Sequence, residues 1–227
     1  MSFALFFSVR FILDGGMNPI SLDHQIFQFI NRDIANPIFD LTLPLMTDLH
    51  KEPLFWLMVF SWISIQIFLP AYLDRPNFVE ITKKRAKLWA SGILILGLSM
   101  GLADFVAYRG IKIWVQRDRP EAAGLAPILR THSHSGWSFP SNHAANNFAL
   151  ARTVQVLAPH YALAAYTFAA VVAVSRVYVG VHFPGDIAAG GLIGWLCATL
   201  ILLIARRTGV LRSVGYSFPA RRKDPSS

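Results

Sequence analysis

The sequence contains little cysteine and little charge. Its single cysteine, Cys197, excludes an intrachain disulfide, and because it lies inside an apolar run we interpret it as a small core residue. Only 15% of the 227 residues are charged, whereas 54% are hydrophobic. Such a chain is too apolar for an ordinary soluble domain, but it suits several membrane spans joined by short polar loops.

Acidic residues are also scarce, since 21 Lys and Arg against 13 Asp and Glu leave a formal net charge of +8. The basic residues are divided among a loop, a central stretch and the C-terminal tail, and they do not form one patch interleaved with aromatic side chains. This division argues against nucleic acid as a partner. Contact with membrane lipids and control of topology explain it better.

Apolar stretches predict an all-α membrane helix bundle within residues 21–205. A spanning helix needs roughly 20 apolar residues, and fewer where its end reaches a polar zone lined by protein. Five stretches meet this requirement: residues 53–73, 88–108, 143–157, 161–175 and 187–205. The third and fourth are joined by a short connection, so we expect them to pack antiparallel.

The first fifty residues follow a different pattern. Residues 1–20 are interpreted as an N-terminal extension. Its apolar part lacks the features of a secretory signal, and a sixth membrane span there stays an alternative. Two glycines before Met17 suggest the hypothesis that Met17 is the natural start. Apolar residues from 21 to 46 recur at helical spacing on both sides of Asn36, which predicts two short helices at the outer interface or across the bundle.

Basic residues in the loops set the predicted orientation. The loop after the first span and the tail 206–227 are both basic, and with five spans they fall on one side, which the positive-inside rule makes cytoplasmic. The other loops then face the periplasm or exterior, as in a multi-pass protein of the plasma or inner membrane. Five basic residues lie on this disfavoured outer side and are expected to serve an anionic ligand: Lys112, Arg117, Arg119, Arg130 and Arg176.

A first polar block lies at the end of the second span, where Lys112 precedes Arg119 by seven residues. Because Pro120 cannot continue a helix, we expect the chain to leave the membrane here into the loop 117–139, the predicted substrate entrance. A lysine is a compact positive charge, and an arginine offers a planar fork that matches phosphate oxygens. The pair is therefore a candidate anion site.

A second block, Ser141-Asn142-His143, runs directly into the third span. Backbone N–H groups and the dipole at such a helix start favour phosphate binding. Ser141 can add a hydroxyl donor and His143 a proton. A histidine at a helix start is more often a cap or a satisfied polar group, so the neighbouring blocks are what favour a functional role.

A third block places Arg176 at the end of the fourth span, His182 six residues later and Asp186 four residues after that. An aspartate beside a histidine can accept its second N–H, which fixes the tautomer and raises nucleophilicity. Together the blocks supply three cations, two imidazoles and one carboxylate. These groups can hold a phosphate and transfer it through a histidine.

The three blocks resemble the motifs of the type 2 phosphatidic acid phosphatase superfamily, K-x6-R-P, P-S-G-H and S-R-x5-H-x3-D, over residues 112–186. The resemblance implies a metal-independent lipid phosphatase that needs no cofactor and forms a phosphohistidine. It implies that His182 attacks phosphorus, Asp186 orients His182 and His143 protonates the leaving oxygen. It also implies a set of phosphate-binding residues: Lys112, Arg119, Arg176, Ser141 and Asn142.

Asn142 is the one departure from these motifs, which usually carry glycine at this position. If glycine supplies positive φ there, asparagine is the best ordinary substitute, so we expect activity to survive with an altered headgroup preference. The layout resembles bacterial undecaprenyl-diphosphate phosphatases, which makes that diphosphate the first expected substrate. Alternatives stay open: a phosphatase of lipid A, phosphatidate or phosphatidylglycerophosphate, a lipid phosphotransferase, or a silent lipid-binding or transport protein. The sequence indicates no oligomeric state.

Other polar residues are interpreted as structural. Asp104 lies within the second span, where a carboxylate is costly unless paired, so we expect it to bond a site residue or a neighbouring helix. Arg117 and Asp118 are expected to form a solvated or structural pair. His132 and His134 have no ligand-spaced partner that would support a metal site.

Overall fold

All regular elements in the described part of the chain are helices. The structure is a computed structural model that describes residues 19–49, 52–131 and 135–213, and this confirms the predicted all-α bundle. The predictions for Met17, a sixth span, His132, His134 and most of the tail lie outside these residues. The helices are α1 Pro19–Gln28, α2 Pro37–Asp48, α3 Pro53–Leu73, α4 Phe78–Phe105, α5 Asn142–Leu157, α6 Ala162–Tyr178, α7 Pro184–Arg207 and α8 Val210–Ser213.

Four helical segments among the described residues are long and apolar enough to cross a membrane: Pro53–Leu73, Arg75–Val115, Pro159–Tyr178 and Pro184–Arg207. They contain four of the five predicted spans. The remaining one, α5, has 16 residues and so falls below that length. Such a helix is about 24 Å long, shorter than a hydrocarbon layer of about 30 Å. Helices α4, α6 and α7 pack around α5, so protein surrounds it.

Two glycines of α7 allow this helix to approach α5 at backbone contact distance. A Cβ atom added to Gly194 would lie 1.9 Å from the Ala145 carbonyl oxygen, and one added to Gly190 would lie 2.3 Å from that of Ser141. Small residues four apart permit such close helix crossings in membrane proteins. This contact fixes the second polar block against the third.

The helical segment that carries the first block changes its pitch before it ends. Helix α4 continues as a π-helical stretch, Val106–Lys112, and a final short turn, Ile113–Val115. Gln116 then adopts φ 50°, a left-handed conformation that ends the helix. The chain therefore leaves the bundle just after Lys112, as predicted.

The N-terminal helices divide at Asn36, as predicted, and both contact the bundle. The Asn36 Oδ1 accepts hydrogen bonds from the N–H groups of Ile38 and Phe39, both at 3.0 Å, and so caps α2. Helix α2 packs against α6, and α1 contacts α7. These contacts agree with helices that pack across the bundle.

Candidate active site

The three polar blocks meet at one end of the bundle. Members of the first and third blocks lie within electrostatic reach of one another: Lys112, Arg119, Arg176, His182 and Asp186. The second block joins this group through its backbone, because the Ser141 N–H donates to the Asp186 carbonyl at 3.0 Å. The fold thus brings together residues that are distant in sequence.

His182 and Asp186 form a buried pair at the start of α7. The distance from His182 Nδ1 to Asp186 Oδ2 is 3.3 Å, and the two side chains are 3% and 0% exposed. Pro184 begins the helix, so Asp186 falls in the first turn, where Oδ2 also accepts the Phe183 N–H at 2.9 Å. The spacing of four residues therefore lets one carboxylate cap the helix and orient the imidazole.

The surroundings of His182 keep its imidazole neutral. Burial, together with the positive charges of Arg119 and Arg176, lowers the pKa of His182 to about 4, although Asp186 acts in the opposite direction. The neutral form is the nucleophilic one. In the tautomer that donates Nδ1–H to the Asp186 carboxylate, the imidazole lone pair lies on Nε2.

Two of the three cations are held by oxygen acceptors beside the pair. Arg119 donates from Nη1 to the Val181 carbonyl at 2.8 Å, which places its guanidinium next to the residue before His182. Arg176 is 1% exposed and donates from Nη1 to Thr47 Oγ1 at 2.8 Å. Lys112 is 8% exposed. Buried cations of this kind are favoured where an anion binds, since they would otherwise be costly.

Thr47 was not predicted from the sequence. It is 2% exposed at the end of α2 and accepts a hydrogen bond from Arg176, 129 residues away. A buried threonine in an apolar helix is a weak signal, because its hydroxyl usually bonds to its own helix. The pairing with Arg176 depends on how α2 packs against α6.

Ser141 and Asn142 occupy the start of α5. Ser141 is buried, and its Oγ accepts the Ala144 N–H at 3.5 Å as a helix cap. Asn142 is the first helical residue, and the positive φ considered for it is not found; the described non-glycine residues with positive φ are Gln116 and Ala126. His143 follows in the same helical turn. The site therefore does not require a left-handed backbone at position 142.

The Asn142 amide is instead bound to Asp104. Its Nδ2 donates to Asp104 Oδ1 at 2.7 Å, and the same oxygen accepts from Asn146 Nδ2 at 3.5 Å. The expected partner of Asp104 is thus a residue of the second polar block. A glycine at position 142 could not make this contact, so the departure from the motif links α4 to α5.

Arg117 does not pair with Asp118, in contrast to the prediction. Its Nη1 donates to Asp186 Oδ1 at 2.9 Å, and its Nη2 donates to Asp23 Oδ2 at 2.5 Å. The prediction was wrong because the stronger partners come from α1 and α7, which only the folded chain brings to Arg117.

Arg130 has protein partners as well. Its Nε forms an ion pair with Asp40 at 2.5 Å, and its Nη1 donates to the carbonyls of Asn31 at 2.8 Å and Tyr178 at 3.0 Å. These contacts bind the N-terminal helices to the bundle. In this structure the guanidinium therefore contributes to the fold, in contrast to the expected role in binding an anionic ligand.

A cavity of about 720 Å³ lies on the α1 side of the site. Apolar side chains dominate its walls, and the ion pair between Arg117 and Asp23 borders it. Its lining does not include the described cations Lys112, Arg119 or Arg176. It is therefore separate from the expected phosphate position.

Comparisons with known proteins place the chain among membrane phosphatases. Residues 92–209 match the model of the PAP2 superfamily. The lipid A 4'-phosphatase of Bacteroides thetaiotaomicron is 27% identical over 193 residues, or 82% of this chain and 78% of that protein. The phosphatidylglycerophosphatase B of Bacillus subtilis is 34% identical over 51% of this chain and 58% of that protein. The lipid A 1-phosphatase of Rhizobium etli is 34% identical over 66% of this chain and 68% of that protein.

Two solved structures share the fold. The crystal structure of Aquifex aeolicus LpxE aligns with a TM-score of 0.54 at 23% identity, over 80% of this chain and 95% of that one. The PAP2 type phosphatidylglycerolphosphate phosphatase of Bacillus subtilis aligns with a TM-score of 0.56 at 23% identity, over 90% and 94%. At this identity the likeness concerns the fold alone.

Proposed function

Because this chain belongs to the PAP2 superfamily and is a membrane phosphatase, we propose that it hydrolyses the terminal phosphate of a lipid through His182 as nucleophile. The observation that carries this proposal is the buried pair of His182 and Asp186 beside buried cations. A binding protein needs the cations alone, whereas a covalent transfer also needs an oriented, neutral imidazole.

The phosphate is held by Lys112, Arg119 and Arg176, with Ser141 and the backbone of Asn142 assisting. These cations balance the charge on the phosphate oxygens, so the neutral imidazole can approach phosphorus. They also stabilise the transition state, in which that charge is redistributed. The three positive charges therefore serve both binding and catalysis.

In the first step the lone pair of His182 Nε2 forms a bond to phosphorus while the bond from phosphorus to the lipid oxygen breaks. His143 gives its proton to that oxygen, and Asp186 holds the Nδ1–H of His182. In the second step water attacks phosphorus, the bond to Nε2 breaks and His143 takes a proton from the water. The products are the dephosphorylated lipid and inorganic phosphate, and no metal is needed.

Lipid A is the first candidate substrate and phosphatidylglycerophosphate the second. Relatives from Bacteroides and Rhizobium are named for lipid A, and one from Bacillus is named for phosphatidylglycerophosphate. The earlier expectation of undecaprenyl diphosphate has no support from these names. The basic loops favour a site that faces the periplasm or exterior of an inner-membrane protein.

Phosphate release by the purified, detergent-solubilised protein tests the proposal. The panel is lipid A, phosphatidylglycerophosphate, phosphatidate and undecaprenyl diphosphate, all with EDTA present. We expect free phosphate from lipid A or phosphatidylglycerophosphate, and none from His182→Ala. Full turnover by His182→Ala would contradict the assigned nucleophile, and transfer of phosphate to a second lipid without release would identify a phosphotransferase.

A further inference from the structure

The two carboxylate oxygens of Asp186 have different partners. Oδ2 faces His182 at 3.3 Å and accepts the Phe183 N–H at 2.9 Å. Oδ1 accepts the hydrogen bond from Arg117 Nη1 at 2.9 Å. The torsion that rotates a carboxylate is soft and roughly two-fold. A donor on Oδ1 therefore helps to keep Oδ2 directed at the imidazole.

Arg117 is itself fixed from two further sides. Its Nη2 forms the ion pair with Asp23 of α1, and its Cζ lies 3.9 Å from the centre of the Phe183 ring. A guanidinium over an aromatic face at this distance is held by cation–π attraction. Arg117 and Asp23 are 24% and 14% exposed, so solvent screens their contact only in part.

Asp23 also contacts the first turn of α7 directly. Its Oδ1 accepts the Gly185 N–H at 2.7 Å, next to Asp186 in the chain. A Cβ atom added to Gly185 would lie 3.2 Å from Asp23 Oδ2, which is tighter than usual packing. Glycine at this position thus lets α1 approach the helix start, where a carboxylate is electrostatically favoured.

We propose that Arg117 and Asp23 are positioning residues that hold Asp186, and through it His182, so that helix α1 takes part in catalysis. The inference rests on the proposed function, because it takes His182 as the nucleophile. Both terminal nitrogens of Arg117 are bound to carboxylates. Arg117 therefore acts on the nucleophile, whereas Arg119 and Arg176 act on the phosphate.

Kinetics of the purified full chain test this role. Partners that orient metal-ligating side chains typically contribute about 10–100-fold to activity, and we expect a loss of kcat of similar size in Arg117→Ala. KM and the inhibition constant of inorganic phosphate should stay at the wild-type values. Arg117→Lys should recover part of kcat, because it keeps the charge but lacks the planar fork.

Two further variants separate positioning from folding. Asp23→Asn, nearly isosteric, should lower kcat less than Arg117→Ala without a change in KM, and so tests the network even if Arg117→Ala does not fold. Arg130→Ala, the matched control, removes an ion pair and a cation–π contact of the same kind at Tyr178 and should retain kcat. Equal losses of kcat in Arg117→Ala and Arg130→Ala would overturn the inference.

A double-mutant cycle identifies the residue through which Arg117 acts. If its effect passes through Asp186, Arg117→Ala combined with Asp186→Asn should have the same kcat as Asp186→Asn alone. Independent, multiplicative losses would overturn the inference. An increase in the inhibition constant of phosphate as large as that in Arg119→Ala would also overturn it, since Arg117 would then bind the phosphate.

Failure of the proposed function gives different results. If the wild-type protein releases no phosphate, or if His182→Ala keeps full turnover, the proposed function is wrong. If Asp186→Asn loses activity while Arg117→Ala and Asp23→Asn keep wild-type kcat, only the positioning role is wrong.

Discussion

Two arginines tie the N-terminal helices to the bundle by the same means. Each pairs with an aspartate of an N-terminal helix and lies over an aromatic ring of the bundle. Arg117 pairs with Asp23 and lies 3.9 Å from the ring centre of Phe183. Arg130 pairs with Asp40 and lies 4.2 Å from the ring centre of Tyr178.

The difference lies in the remaining donors of the two guanidinium groups. Arg117 gives Nη1 to the carboxylate that orients His182. Arg130 gives Nη1 to backbone carbonyls, those of Asn31 and Tyr178. Under the proposed mechanism, the same combination of ion pair and ring contact supports catalysis at Arg117 and only the fold at Arg130. The proposed difference in role follows from the third partner, which is the Asp186 carboxylate for Arg117 and backbone carbonyls for Arg130.

The largest expected difference is between substitutions of Asp186, which Arg117 contacts, and of Asp40, which Arg130 contacts. Asp186→Asn should lower kcat by about 10⁴-fold, the loss seen when the orienting carboxylate of a catalytic triad becomes an amide. Asp40→Asn should keep kcat, because Asp40 contacts Arg130 and Tyr178, which hold α2 on the bundle. Steady-state kinetics of both purified variants make the test. A comparable loss in the two would remove the distinction.

A smaller effect is expected at Thr47, by which α2 does reach the site. Thr47→Val removes the acceptor of Arg176 Nη1 and leaves that donor buried. A lost hydrogen bond to a charged group costs about 1.5–3 kcal/mol, so kcat/KM should fall by about 10–150-fold, mainly through KM. Thr47→Ser keeps the hydroxyl and should behave like the wild type. An unchanged KM in Thr47→Val would show that Arg176 does not depend on this contact.

The pH dependence of kcat/KM should also distinguish the regions. The pKa of His182 is lowered to about 4, so the neutral nucleophile persists at mildly acid pH and is lost as pH falls through that value. The charged groups around it are Asp186, Arg117, Arg119, Arg176 and Lys112.

Removal of Arg117 leaves the negative charge of Asp186 less balanced, which favours the imidazolium and should move the acid limb to higher pH. Arg130→Ala should leave the limb in place. The contribution of substrate ionisation to the pH profile of kcat/KM is first removed by titrating the substrate phosphate separately. If the acid limb of kcat/KM lies at the same pH in Arg117→Ala as in the wild type, Arg117 is not electrostatically coupled to the Asp186–His182 pair.

The smallest expected effect concerns stability on the Arg130 side. Hydrogen bonds from Tyr178 and Arg130 hold the pKa of Asp40 below its usual value of 3.8. A carboxylate whose pKa is lower in the folded state than in the unfolded state stabilises the fold above its unfolded pKa. This stabilisation is lost as pH falls through the folded pKa. Asp40→Asn should therefore lower the melting temperature at pH 7, and the difference should shrink below about pH 4. A difference that is constant with pH would show that Asp40 does not contribute by its charge.

The sequence predicted that the three polar blocks lie together, but it did not predict the residues that support them. Lys112, Arg176, His182 and Asp186 were singled out because ionisable residues at the ends of apolar segments are rare and usually functional. The division of the N-terminal helices at Asn36 was also predicted, since a proline after a capping residue is a local signal.

The partners of Arg117 and Arg130 could not be predicted in this way. Asp23 and Asp40 lie about ninety residues away in sequence, and their pairing depends on how α1 and α2 pack on the bundle. Local spacing favoured Asp118 for Arg117, because adjacent opposite charges are the simplest interpretation. The predicted bounds of α5, residues 143–157, agree within one residue with the helix Asn142–Leu157, but only the fold shows that other helices surround it.

The most direct test of the proposed mechanism is to identify the residue that carries phosphate during turnover. The wild-type protein is mixed with its lipid substrate, quenched at alkaline pH within the first turnover and mapped by mass spectrometry. We expect phosphate on His182, with less phosphorylated His182 at the same time point in Arg117→Ala and a wild-type amount in Arg130→Ala. Phosphate on His143, or full turnover without any phosphorylated histidine, would contradict the mechanism.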